Sequence, residues 1–311
     1  MISFTINVKN EVAGYDSVQN ENMAMLSAIV RNSSKVDNKE IIITTENSKV
    51  ARRIYSLISD IYNVGVSILD KNNNFNRNRL YVIRTSDKVD FILNDLGVID
   101  NQGNYLDNVP DYLIDSDEEK RAYLKGIFMS CGSINDPKTS RYHLEFFIEK
   151  YEEANFVNDL LNEYFLNSKV IQKEKKYMVY IKEAEKIGDF LRIIGANDAV
   201  MYYEDIRIYR DHKNMTNRLN NMEQANIEKI INTCNSQIKD IELIFEKIGK
   251  DALDEKTLEA ATYRIKYPES SLQELSEIMT LEIGSPITKS GLNHRMRKIK
   301  ELANKLKEEQ L

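Results

Sequence analysis

The chain has 311 residues, 42% of them hydrophobic and 30% charged, enough apolar material for two or three compact units with cores of their own. Its formal charge is −6, so the distribution of charge carries more information than the total. Cys131 and Cys234 are its two cysteines, too few for a disulfide framework and in keeping with a reducing, cytoplasmic compartment. No apolar run suits a signal peptide or a membrane span. His143, His212 and His294 are scattered without zinc spacing, and neither a GxxxxGK loop nor a GxSxG elbow occurs, so no metal or cofactor is expected.

Self-comparison reveals an internal repeat at an offset of 98 residues. LYVIRTSDKVDFILNDLG (80–97) lies over MVYIKEAEKIGDFLRIIG (178–195) without a gap, and MLSAIVRNSS (25–34) lies over YLKGIFMSCG (123–132). Between these anchors, IIITT (41–45) and HLEFFIE (143–149) are strand-like, and runs starting at Ala51 and Ala154 have the spacing of amphipathic helices. Each half, about 22–99 and about 120–197, is therefore expected to run helix, strand pair, helix, strand pair, helix. The predicted class is α+β with pseudo-two-fold symmetry over residues 1–204. Ala28 and Gly126 occupy matching positions in the first helices, and a glycine there points to close helix approach.

The segment YLKGIFMSCGSIND (123–136) resembles the LAGLIDADG helix of homing endonucleases, in which two such helices each offer an acid to a catalytic metal. On that resemblance the acid positions are Ser33 and Cys131, neither of which suits a hard divalent cation. Asp37 and Asp136 follow beyond the helix ends, where solvation is the expected role. The hairpins carry basic residues in both halves: Lys71, Arg77 and Arg84 correspond at the same offset to Lys169, Lys175 and Lys182, with Arg79, Lys173 and Lys176 nearby. Basic strand ribbons of this kind suit a major groove or phosphates, which makes them candidates for a secondary DNA contact.

Residues 205–218 read as a basic connector with Arg207, Arg210, Lys213 and Arg218 against two aspartates, its cations available to phosphate. From Asn217 a helix is expected with Ile227, Ile230, Ile231, Cys234, Ile238, Ile241, Phe245 and Ile248 on one side and Gly249 just past its end. Pro268 precedes two overlapping capping boxes, Ser270 with Gln273 and Ser271 with Glu274. A loop over 280–289 leads to a second helix with Leu292, Met296, Ile299, Ala303 and Leu306 as its apolar stripe. Residues 285–307 hold seven basic side chains against Glu301, leaving −12 on the rest of the chain. Helix, turn and basic helix over about 271–304 read as a helix-turn-helix in an all-α domain, 219–311, with a loop longer than usual. Its candidate DNA-binding residues are Thr288, Lys289, Ser290, Asn293, His294, Arg295, Arg297, Lys298 and Lys300.

The whole set resembles the WhiA family, a degenerate LAGLIDADG domain joined to a helix-turn-helix. SFTINVKNEV (3–12), YLKGIFMSCGSINDP (123–137), the pattern of Asn217, Arg218, Asn221, Ala225, Asn226 and Lys229, and TKSGLNHRMRKI (288–299) carry the resemblance. Met222 departs from the family's frequent cysteine, and the first repeat is the more divergent. The resemblance implies a double-stranded DNA-binding regulator: of sporulation in actinobacteria, of cell division and chromosome segregation in low-GC bacteria. A protein partner is possible, and a membrane is not expected. The Asn- and Lys-rich stretch 71–79 fits an AT-rich genome and the second setting. A metal-dependent homing-type endonuclease is the alternative from another class, and Ser33 and Cys131 weigh against it. A third reading makes the repeat domain a protein-interaction module, with only the helix-turn-helix on DNA.

Overall fold

Twin sets of elements follow from the repeated pattern. The structure, a computed structural model, describes residues 3–15, 17–37, 39–72, 79–139 and 141–308, with residues 71 and 72 by backbone alone. After α1 (Phe4–Val12), capped by the Ser3 hydroxyl, the first set comprises α2 (Gln19–Ser33), β1 (Ser34–Asp37), β2 (Glu40–Thr45) and α3 (Ser48–Tyr62). It ends with β3 (Ser67–Asn72), β4 (Arg79–Thr85) and α4 (Val89–Asp95). The second begins with α5 (Asp117–Cys131), β5 (Gly132–Ile134), β6 (Leu144–Ile148) and α6 (Tyr151–Glu163). β7 (Lys169–Lys173), β8 (Lys176–Ile181) and α7 (Ala184–Ile193) complete it. Each half forms a four-stranded antiparallel sheet with the same order, β1-β2-β4-β3 and β5-β6-β8-β7, so the duplication is one of topology as well as sequence.

The two sheets share one core, and α2 packs against α5 inside it. Ala24 to Arg31 of α2 are all buried, as a helix enclosed on every side requires. The expected close approach is real: a Cβ on Gly126 would overlap the Met25 carbonyl and lie 2.8 Å from the Ala28 Cβ, so only glycine fits. Gly97 and Gly195 again occupy matched places, with φ of 64° and 72° after α4 and α7.

The chain divides into two compact units, Met1–Arg210 and Asp211–Leu311. The expected connector at 205–218 is instead helical throughout, part of α8 (Asn197–Lys247). No glycine or proline interrupts that stretch, and without a breaker the charged segment has no reason to leave the helix. Ile227, Ile230 and Ile231 are exposed, whereas Cys234 and Ile241 are buried, so the expected apolar side is a packing face only in its later part. Gly249, with φ 84°, follows the helix as expected, its N–H bonding the Ile244 carbonyl at 3.2 Å.

Within the second unit, α9 (Glu255–Lys266), α10 (Leu272–Ile283) and α11 (Lys289–Glu308) pack with the end of α8 around Ile241, Ile244, Leu275, Met279, Leu292 and Ile299. Of the two candidate capping boxes, Ser271 with Glu274 forms. Helix α10 continues to Ile283, because Gly284 at φ 74° supplies the left-handed cap, and residues 284–288 alone make the turn. The loop is thus half the length that the sequence suggested. Arg264, fully buried, closes the corner from α9 to α10 by donating to the Ser270 and Tyr267 carbonyls at 2.6 and 3.3 Å.

Candidate nucleic-acid interface

The ends of α2 and α5 hold Ser33 and Cys131, the two positions that the LAGLIDADG resemblance assigns to metal-binding acids. The Ser33 hydroxyl donates back to the Ile29 carbonyl at 2.7 Å, a bond that spends its proton inside its own helix. Cys131 lies 3.5 Å from the Ile127 carbonyl, and burial pushes its thiol up to about 11. A thiol held neutral at physiological pH is a poor metal ligand. Asp136 accepts from the Lys138 N–H at 2.9 Å and the Tyr202 hydroxyl at 3.3 Å, while Asp37 ends the exposed strand β1. Among the described residues, no three of His, Cys, Asp and Glu converge.

Beside these ends lies a buried ion pair. Arg31 Nε meets Glu153 Oε2 at 2.8 Å, with side-chain exposures of 0% and 3%. The remaining guanidinium nitrogens donate to the Gly97, Leu106 and Asp107 carbonyls, and Tyr123 and Asn32 donate to Glu153 Oε1. The pair joins the two repeats, with Arg31 in the first and Glu153 in the second.

On α11 the apolar stripe Leu292, Met296, Ile299 and Ala303 is buried and fixes the helix against α9 and α10. The candidate side chains then separate into three groups. Thr288 is the helix cap, its hydroxyl accepting from the Gly291 N–H at 3.1 Å. Arg295 faces inward and donates to the Lys256 carbonyl at 3.2 Å with Glu259 at 3.8 Å, and Lys298 stands 3.7 Å from Asp254. Lys289, Ser290, Asn293, His294 and Lys300 are exposed on the other side, and Arg297 is exposed with Glu301 at 3.8 Å. The basic character of the sequence could not distinguish these groups, because which cation meets a partner depends on where α9 lies.

The hairpin cations are partly re-matched by the strand register. Leu69 pairs with Val82, and Lys169 pairs with Tyr180, the residue that the offset assigns to Val82. Lys169 therefore stands at the place of Leu69 rather than of Lys71, because the first hairpin is the longer. Arg84 and Lys182 remain equivalent; Arg84 is 3.8 Å from Glu40, and Lys182 lies over the Tyr180 ring. Lys169, Lys173 and Lys175 are exposed, Lys173 over the Phe147 ring, and Arg79 is 3.8 Å from Asp70. Arg77 and the side chain of Lys71 lie outside the described residues.

Two cations of the expected connector are committed elsewhere. Arg207 pairs with Glu204 at 2.7 Å, and Arg210 donates to the Pro137 carbonyl at 2.7 Å and lies over the Tyr142 ring. Lys213 and Arg218 are exposed.

One feature was missed in the sequence because it needs two helices. A groove runs between α8 and α11, lined from α8 by Lys229, Asn232, Thr233 and Ser236 and from α11 by Asn293, Arg297 and Lys300. The polar spacing of three and four on α8 is visible in the chain, but its partner wall is not.

Three family models match: the WhiA N-terminal LAGLIDADG-like domain at residues 19–99, the WhiA LAGLIDADG-like domain at 120–213 and the WhiA C-terminal HTH domain at 216–303. Curated relatives named probable cell division protein WhiA include one from Staphylococcus epidermidis, 41% identical over 98% of both chains. Another, from Staphylococcus haemolyticus, is 40% identical over the same shares. Full-length WhiA from Thermatoga maritima shares the fold, with a TM-score of 0.59 at 23% identity over 98% of this chain and 99% of that one. Two LAGLIDADG-like domains followed by a helix-turn-helix, matched along nearly the whole length, make this chain a member of the WhiA family.

Proposed function

We propose that the protein is a sequence-specific DNA-binding regulator acting in cell division and chromosome segregation, and that it does not cut DNA. The observation that carries this reading is the exposed side of α11. Lys289, Asn293, His294 and Lys300 are exposed there with no hydrogen bond or ion pair among the described residues, while the opposite stripe is locked into the core. Donors that the fold leaves unused along the first three turns of a second helix, and a little beyond, are those that a helix-turn-helix offers to base edges and flanking phosphates. The curated relatives' name supports the setting in cell division. The exposed Lys169, Lys173, Lys175 and Lys182 of the second repeat add a weaker contact with phosphate in the same reading.

The test is selection of bound duplexes from a randomised pool by the full chain, followed by footprinting. Asn293→Ala and His294→Ala each lose about 1–3 kcal/mol of specific binding, the worth of a good base contact. Wild-type affinity in both variants overturns the recognition-helix assignment.

A further inference from the structure

We infer that the groove between α8 and α11 seats the sugar-phosphate backbone of the bound duplex, so that α8 is a second wall of the DNA site. The inference rests on the DNA-binding reading and extends it to an element outside the helix-turn-helix. Asn293, Arg297 and Lys300 belong both to the groove and to the exposed side of α11, so a duplex lying on that helix has one strand at the groove mouth. The charge there favours an anion. Lys229, Arg297 and Lys300 stand against Glu228 and Asp240, and Asp240 is paired with Lys307 at 2.7 Å, so the groove stays net positive even with Glu301 3.8 Å from Arg297.

The donor set is of the right kind as well. Asn232, Ser236 and Asn293 add short amide and hydroxyl groups between the cations, the mixture that holds phosphate and sugar oxygens without reading sequence. Length separates this site from one for a small anion. The α8 wall extends from Ala225 to Asp240, about 22 Å at 1.5 Å per residue. That is the rise of about six base pairs.

The experiment measures affinity of the full chain for a duplex selected as above, across a salt series. Lys229 is exposed, so its variants leave the fold intact, which unchanged melting verifies. Lys229→Glu weakens binding about tenfold, Lys229→Ala lowers the slope of log K against log salt by about 1, and Lys229→Arg binds within about twofold of wild type. Wild-type affinity and slope in Lys229→Glu, with His294→Ala still impaired, overturns the groove assignment and leaves α11 acting alone. If neither Lys229→Glu nor His294→Ala changes binding, the groove and the recognition-helix assignment fail together, whereas a full chain that selects no duplex from the pool overturns the DNA-binding reading itself.

Discussion

Glu153 accepts from Arg31, Asn32 and Tyr123 at once, and Arg31 and Asn32 belong to the other repeat. This carboxylate joins the two halves. Removing one member of a buried pair strands the other, so Glu153→Gln should cost about 3–5 kcal/mol in urea unfolding. Glu153→Gln combined with Arg31→Met should be less damaging than the sum of the single changes, since neither charge is then left alone. Cys131 gives a second test at this scale. With its thiol raised from 9.0 to about 11, alkylation at pH 8 should be about a hundredfold slower in the native chain than in urea and should accelerate as pH approaches 11.

At the scale of elements, α10 is held by its cap and by a carboxylate at its far end. Ser271→Ala removes the capping box and should cost about 1 kcal/mol. Glu282 accepts from Lys266 Nζ at 2.8 Å and the Tyr267 hydroxyl at 2.6 Å, and these bonds hold its carboxyl down at about 2. A lowered carboxylate stabilises the fold above its unfolded value of 4.5, and that contribution disappears as pH falls toward 2. Glu282→Gln should therefore narrow the gap in melting temperature between pH 6 and pH 3 relative to wild type. An unchanged gap would mean that the contact with Lys266 and Tyr267 does not persist in solution. Helix boundaries near glycine were legible only in part: Gly284 announced a break, but whether α10 reached it or stopped at Thr280 depended on packing of Met279 and Ile283 in the helical core.

At the scale of the whole molecule, two units carry candidate DNA contacts on one chain. Separate fragments 1–210 and 211–311 should each bind a selected duplex less tightly than the intact protein, because linkage makes the second contact intramolecular. Full-length affinity in the second fragment alone would favour a repeat unit that serves protein interaction instead. The chain should leave supercoiled plasmid uncut in magnesium or manganese, since metal-assisted displacement needs ions fixed beside the phosphate and the two helix ends hold Ser33 and a half-buried Cys131. Cleavage that vanished in Asp37→Ala or Asp136→Ala would reverse that expectation.

The sequence by itself determined the duplicated helix and strand order, the close helix contact at Gly126 and the basic helix near the C-terminus. Each is a local pattern or a pattern repeated at constant spacing, and local periodicity is what a chain displays directly. It misjudged the hairpin equivalence, since a longer turn shifts the strand register without disturbing the anchors on either side. Tertiary structure alone decided which cations are available. Arg295 and Arg210 read as equal to Lys289 and Lys229 in the chain, yet the first two donate to backbone carbonyls of residues brought near by folding, while the others face outward. A charge becomes a binding group only when the fold leaves it without a partner, and partners distant in sequence are set by packing.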